Sequence, residues 1–124
     1  MFLISRLQSY IQRLFTYYRI KPERKYKAVK ENVSGAFYIV DGCCTLCGVP
    51  HAEAPELFGG IDEKGNMTHD QCFVKKQPDS PNELNQMINA MAAQEIICIR
   101  YSGNDINIKN RIKEVGEKSQ IDWD

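Results

Sequence analysis

Apolar residues recur at steps of three and four near the start of the chain, at Leu3, Leu7, Tyr10, Ile11, Leu14, Phe15 and Tyr18, while Arg6, Gln8, Gln12, Arg13 and Arg19 fall mostly off that stripe. This spacing predicts an amphipathic helix over 2–19, stopped by Pro22. Its apolar face packs on the protein's own core or on a second copy, or else meets a membrane surface or a partner. Residues 21–34 are charged and without clear period, and a basic linker is expected there. Alternation then appears. Residues 36–40 are β-branched and aromatic between Gly35 and Asp41-Gly42, which predicts a strand running into a turn. After a turn-like stretch at 62–66, a second strand is expected over 71–76, with Cys72 and Val74 on one face and Gln71, Phe73 and Lys75 on the other.

The period returns to helical after Ser80. Leu84, Met87, Ile88 and Met91 fall at i, i+3, i+4 and i+7; Ser80 suits the cap, Pro81 the first turn and Glu83 a capping box, so a helix is expected over 81–94. Residues 95–101 are the most hydrophobic strand candidate, with Cys98 in the core. A last helix is expected over 105–115 on Ile108, Ile112 and Val115, stopped by Gly116, before a tail at 119–124. The domain reading is an N-terminal helix at 1–20, a linker at 21–34, one folded body at 35–118, and the tail. The fold class is α+β.

Charge changes this picture. The 124 residues carry sixteen bases and sixteen acids, but residues 1–30 hold eight Lys or Arg against one acid, a local +7, and residues 31–124 carry −7. An acidic body repels nucleic acid and anionic lipid and suits a basic protein surface. No apolar run approaches the roughly 20 residues of a membrane span. The first residues lack the pattern of a secretory signal, so a cytoplasmic protein is expected. The five cysteines, Cys43, Cys44, Cys47, Cys72 and Cys98, are an odd set. With no export signal they argue for free thiols or a metal site rather than a disulfide framework.

The strongest local signal is the loop at 42–58, Gly-Cys-Cys-Thr-Leu-Cys-Gly-Val-Pro-His-Ala-Glu-Ala-Pro-Glu-Leu-Phe. It resembles single-cluster bacterial ferredoxins, in which Cys-x2-Cys-x2-Cys-x3-Ala-Pro-x2-Phe wraps an iron-sulfur cluster and the Ala-Pro step opens a helix beneath it. Ala54-Pro55-Glu56-Leu57-Phe58 matches the end of that pattern. Cys44 and Cys47 then take the first two ligand positions and Pro50 the third. At the fourth, Gln94 stands where the family has cysteine, and Cys98 where it has alanine. Over 35–102 the resemblance implies a ferredoxin-like small antiparallel sheet with helices, here with added N-terminal and C-terminal helices. Gly-Cys-Cys-x2-Cys-Gly-Val-Pro and Cys-Ile-Arg-Tyr-x-Gly are also similar to small proteins labelled ferredoxin.

With two of four ligands replaced, the expectation is a cofactor-free, non-enzymatic protein-binding module. Small acidic proteins of this kind resemble immunity proteins that cover a basic toxin domain. Asp41, Glu53, Glu56, Asp62 and Glu63, around the loop, are the candidate binding residues. The alternative is an electron carrier with a three- or four-iron iron-sulfur cluster on Cys44, Cys47 and two of Cys43, Cys72 and Cys98. Zinc on these cysteines with His51 or His69 shows only one paired-ligand motif. A catalytic thiol at Cys47, with His51 four residues on, sits beside Glu53 and Glu56, which disfavour a thiolate.

Overall fold

The structure, a computed structural model, describes residues 23–44 and 46–124. The helix expected over 2–19 lies outside them. The order is β1 (Phe37–Ile39), α1 (Val49–Glu53), β2 (Phe58–Gly59), β3 (Phe73–Val74), α2 (Pro81–Ala93), β4 (Ile99–Tyr101) and α3 (Ile106–Glu114), then a 3-10 turn at Lys118–Gln120. β1 pairs antiparallel with β4, Phe37 opposite Tyr101, and β2 pairs antiparallel with β3, Phe58 opposite Val74. The described residues thus form an α+β structure with two small antiparallel sheets.

Strands this short leave main-chain groups to be satisfied from elsewhere, and side-chain amides do it. Asn32 Oδ1 accepts from Ile39 N and Val74 N while its Nδ2 donates to Val29 O and Ile39 O, so one side chain bridges the two sheets. Gln77 pairs with Phe37 as a neighbouring strand would, accepting from its N–H at 3.0 Å and donating to its C=O at 2.8 Å. Beneath them Leu57, Phe58, Val74, Met87, Met91, Ile99 and Ile112 form a dry core, each at most 1% exposed.

α2 forms where its period and cap place it. Ser80 Oγ accepts from Glu83 N, as expected, but the Glu83 carboxylate reaches back one residue further, to Asp79 N, and pairs with Lys76. α3 starts on Asp105, whose carboxylate accepts from Asn107 N and Ile108 N, and Gly116 follows its end at φ +85°.

Three expectations change. The strand expected over 95–101 forms only from Ile99, with Ile96 and Ile97 exposed, because the segment after α2 must turn before it can reach β1. The strand expected over 71–76 shrinks to Phe73–Val74, although Cys72 and Val74 are buried as the alternation requires. The helix expected to open at Ala54-Pro55 is replaced by one that ends there: Pro50 lies in the first turn of α1, and Ala54 caps its end through Pro50 O.

The charged stretch and the tail both join the body. Val29 is buried, Ala28 bridges Val40, and Arg24 donates to Val33 O at 2.8 Å. From the other end, Gln120, Ile121 and Asp122 are buried. The Asp122 carboxylate accepts from Tyr38 Oη at 2.6 Å, from Lys25 N at 3.0 Å and from Arg100 Nε at 2.5 Å. A fully buried carboxylate persists when both its oxygens are engaged this way.

Two outcomes test this junction. Asp122→Ala strands the Arg100 guanidinium, only 11% exposed, and is expected to cost about 3–5 kcal/mol in urea unfolding. Burial, then the hydrogen bond to Asp122, pushes the Tyr38 phenol from 10.0 up to about 12. The unfolded chain therefore releases this proton first, so the stabilisation is whole below pH 10.0 and is lost as pH rises toward about 12. Tyr38→Phe is expected to flatten that part of the stability profile.

Candidate functional site

The turn after β1 delivers the cysteines. Gly42, at φ +76°, donates its N–H to Gln71 Oε1 at 2.6 Å, and Gln71 in turn donates to Asp41 at 2.8 Å, which lays the loop across the start of β3. Gly60, at φ +105°, lets the chain leaving β2 lie against the same strand start, since a Cβ there would sit 2.8 Å from Cys72 Cα.

The sulfurs are then paired, against the expectation of free thiols or a metal site. Cys43 is bonded to Cys98, at the foot of β4, and Cys44 to Cys72, at the foot of β3. Neighbouring cysteines thus tie one loop to both sheets. Cys47 is exposed and free. Cys98 is buried, as expected of a core thiol, but as half of a cystine. The odd count and the absent export pattern pointed away from disulfides; proximity, which a linear chain does not display, decided for them.

Cys44, Cys47, Cys72 and Cys98 all line one crevice with His51 and Gln94. Of the four named as alternative metal ligands, three are held in disulfides and only Cys47 keeps a thiol. The crevice measures about 20 Å³, room for one water rather than a cluster of iron and sulfide. Among the described residues no group of three or more His, Cys, Asp or Glu is placed to hold a metal ion. As paired, these residues do not fit an iron-sulfur cluster. His69, the other zinc candidate, instead shares a hydrogen bond with Thr68 and sets its ring edge on Phe73.

The residues at the other two ligand positions have structural work. Pro50 is buried in α1. Gln94 Oε1 accepts from Cys98 N at 2.9 Å and Ile99 N at 3.1 Å, while its Nε2 donates to Met91 O and Gln120 Oε1. An amide does here what a thiolate cannot, since only it supplies both acceptor and donor.

The acidic candidates divide. Glu56, Asp62 and Glu63 share an open groove with Lys64, Lys75 and His51. Asp41 faces a separate cleft with Lys27, at 3.3 Å, and its carboxyl is held below the ordinary range, chiefly by the Gln71 hydrogen bond and then by Lys27. Glu53 is exposed on α1, outside both hollows.

The turn expected over 62–66 forms, but sequence reasoning missed β2 and the hairpin it makes with β3. Asp62 Oδ1 accepts from Lys64 N and Asn66 N, Thr68 N donates to Gly60 O, and Ile61 bridges Met67. Residues 62–70 are all exposed, Met67 at 69%. The available signal was Asp62-x2-Gly65-Asn66, an Asx-type turn. No family model, no curated protein and no solved structure matches the chain.

Removing the longer cross-link, with Cys43→Ser and Cys98→Ser together, is expected to lower stability by about 2–4 kcal/mol. Reductant should lower the urea midpoint of the parent protein and leave that of this double variant, where only Cys44–Cys72 remains, less changed. A parent midpoint indifferent to reductant would place these cysteines outside disulfides. Gln94→Ala, which abandons two buried amides, is expected to cost about 1–3 kcal/mol.

Proposed function

We propose that this protein is a cofactor-free protein-binding module whose partner presents a basic surface, in the manner of an immunity protein covering a toxin domain. The observation that carries the reading is the exposed hairpin at 62–70, held in one shape by its own hydrogen bonds and set beside a groove bearing Glu56, Asp62 and Glu63. An ordered, exposed loop pays little entropy on binding, which is what recognition loops need. Met67 supplies an apolar contact at its side, and the body's charge of −7 supplies steering. The disulfides and the Gln94 network take over the cross-linking that a cluster would provide.

No described helix is long and apolar enough to cross a membrane. A cytoplasmic location remains part of the proposal; disulfides in that compartment are usually transient and catalytic or redox-sensing.

The second reading is an electron carrier. It draws on the gathering of five cysteines at one end of the molecule and needs both disulfides open. Colour and iron separate the two readings. Anaerobic purification after iron supplementation is expected to give colourless protein, and brown protein with stoichiometric iron and sulfide would replace the module by the carrier.

For the module itself, a partner captured from the source cell and then purified is the probe. Glu56→Lys with Glu63→Lys is expected to slow association at least about tenfold at low salt, with dissociation changed much less. Unchanged association at low salt would remove this groove from the interface. Capture of a flavoprotein reductase alone would remove the module.

A further inference from the structure

The crevice at the cysteine loop brings together a free thiol, a disulfide and a base, a combination the binding reading does not use. Cys47, Cys44, Cys72 and His51 line it together. His51 Nε2 lies 2.9 Å from Gly59 O, and since a carbonyl only accepts, this nitrogen carries the ring proton. Nδ1 is therefore the basic nitrogen. It is buried and has no hydrogen-bond partner among the described residues. A buried acceptor left unmatched on a residue that lines this crevice calls for a donor; Cys47 holds the one free thiol there and makes no hydrogen bond to it in the resting arrangement.

The disulfide is asymmetric. Two backbone N–H groups point at Cys44 Sγ, that of Leu46 at 3.3 Å and that of Cys72 at 3.4 Å. Leu46 reaches this position only by adopting a left-handed backbone, φ 59°, which is uncommon for a residue with a branched side chain. Amide donors aimed at a sulfur stabilise negative charge on it, so Cys44 is the better leaving group of the pair.

We infer that this crevice is an internal thiol-disulfide exchange site, in which Cys47 exchanges with the Cys44–Cys72 bond. Cys47 gives its proton to His51 Nδ1, and the thiolate attacks Cys72 Sγ. A Cys47–Cys72 bond forms as the Cys44–Cys72 bond breaks, and the electron pair leaves on Cys44 Sγ beneath the two N–H groups. The proton passes from His51 to the Cys44 thiolate. One disulfide and one thiol stand on each side of the step, so no oxidant or reductant is consumed. The loop then has two cross-linked registers, tied to β3 through position 44 or position 47, with the reactive thiol displaced to the other position. Cys43–Cys98 takes no part and holds the loop to β4 in both.

Peptide mapping tests this. The protein is incubated at about pH 8 without added thiol, quenched in acid, alkylated with a maleimide at low pH, digested without reduction and read by mass spectrometry. The label is expected on Cys47 at first and then shared between Cys47 and Cys44, with a Cys47–Cys72 cross-linked peptide growing in step. Cys47→Ser should abolish the redistribution, as should prior alkylation of Cys47 in the unmutated chain. His51→Gln should slow it at least about tenfold. A label that stays on Cys47 overturns the proposal. So does a label appearing on Cys72, which would reverse the leaving group, or one spreading to Cys43 and Cys98, which would be general scrambling. Five labelled thiols at the outset would also overturn it, while leaving the acidic groove and its binding test untouched.

Discussion

A buried main-chain amide without a partner costs about 1–3 kcal/mol, and strands of two or three residues cannot satisfy one another's edges. The architecture of this protein turns on that constraint. Asn32 serves β1 and β3 at once, Gln77 imitates a strand beside Phe37, and Gln94 receives the amides at which the chain enters β4. Each is an amide side chain, with both a donor and an acceptor. A carboxylate or a lysine would meet half of either demand, and an apolar residue neither. The core beneath is ordinary in composition; the polar stitching above it makes two separate ladders into one body.

The same economy explains how the cysteine loop is held. Between β1 and β2 its described backbone contributes one five-residue helix and no strand. Cystines to Cys72 and Cys98 fix it to both sheets, and in the chain-entropy view closures of 28 and 55 residues each restrict the unfolded chain by about 4 kcal/mol. Gln94 and Cys98 are coupled, because the amide that meets Cys98 N also sets where its sulfur lies. Pro50 and Gln94 are thus parts of the frame.

The two ends of the described chain meet at Asp122. Asp122 draws in Tyr38, Arg100 and Lys25, and Trp123 Nε1 donates to Glu23 O at 2.7 Å. The binding surface and the thiol chemistry proposed above would use other residues, those of the hairpin at 62–70 and of the crevice at the cysteine loop. Rigid backing beneath an exposed loop is what positions recognition residues.

The sequence by itself determined the elements whose causes are local. α2 followed from Ser80, Pro81 and a 3.6-residue period, and α3 from Asp105 and Gly116, because caps and periods act within a few residues. The burial of Cys72 and Val74 was legible in their alternation. The α+β class was legible too, and so was the concentration of chemistry at the cysteine loop. Tertiary structure decided what depends on residues far apart in the chain: the pairing of Cys43 with Cys98 and Cys44 with Cys72, the strand that starts at Ile99 rather than 95, the separation of Asp41 from Glu56, Asp62 and Glu63, and the packing of a charged stretch and a tail against the body. Composition cannot report these, because a lysine-rich stretch looks alike whether or not a buried aspartate waits about a hundred residues away. A cysteine's fate likewise depends on which sulfur the fold brings within bonding distance.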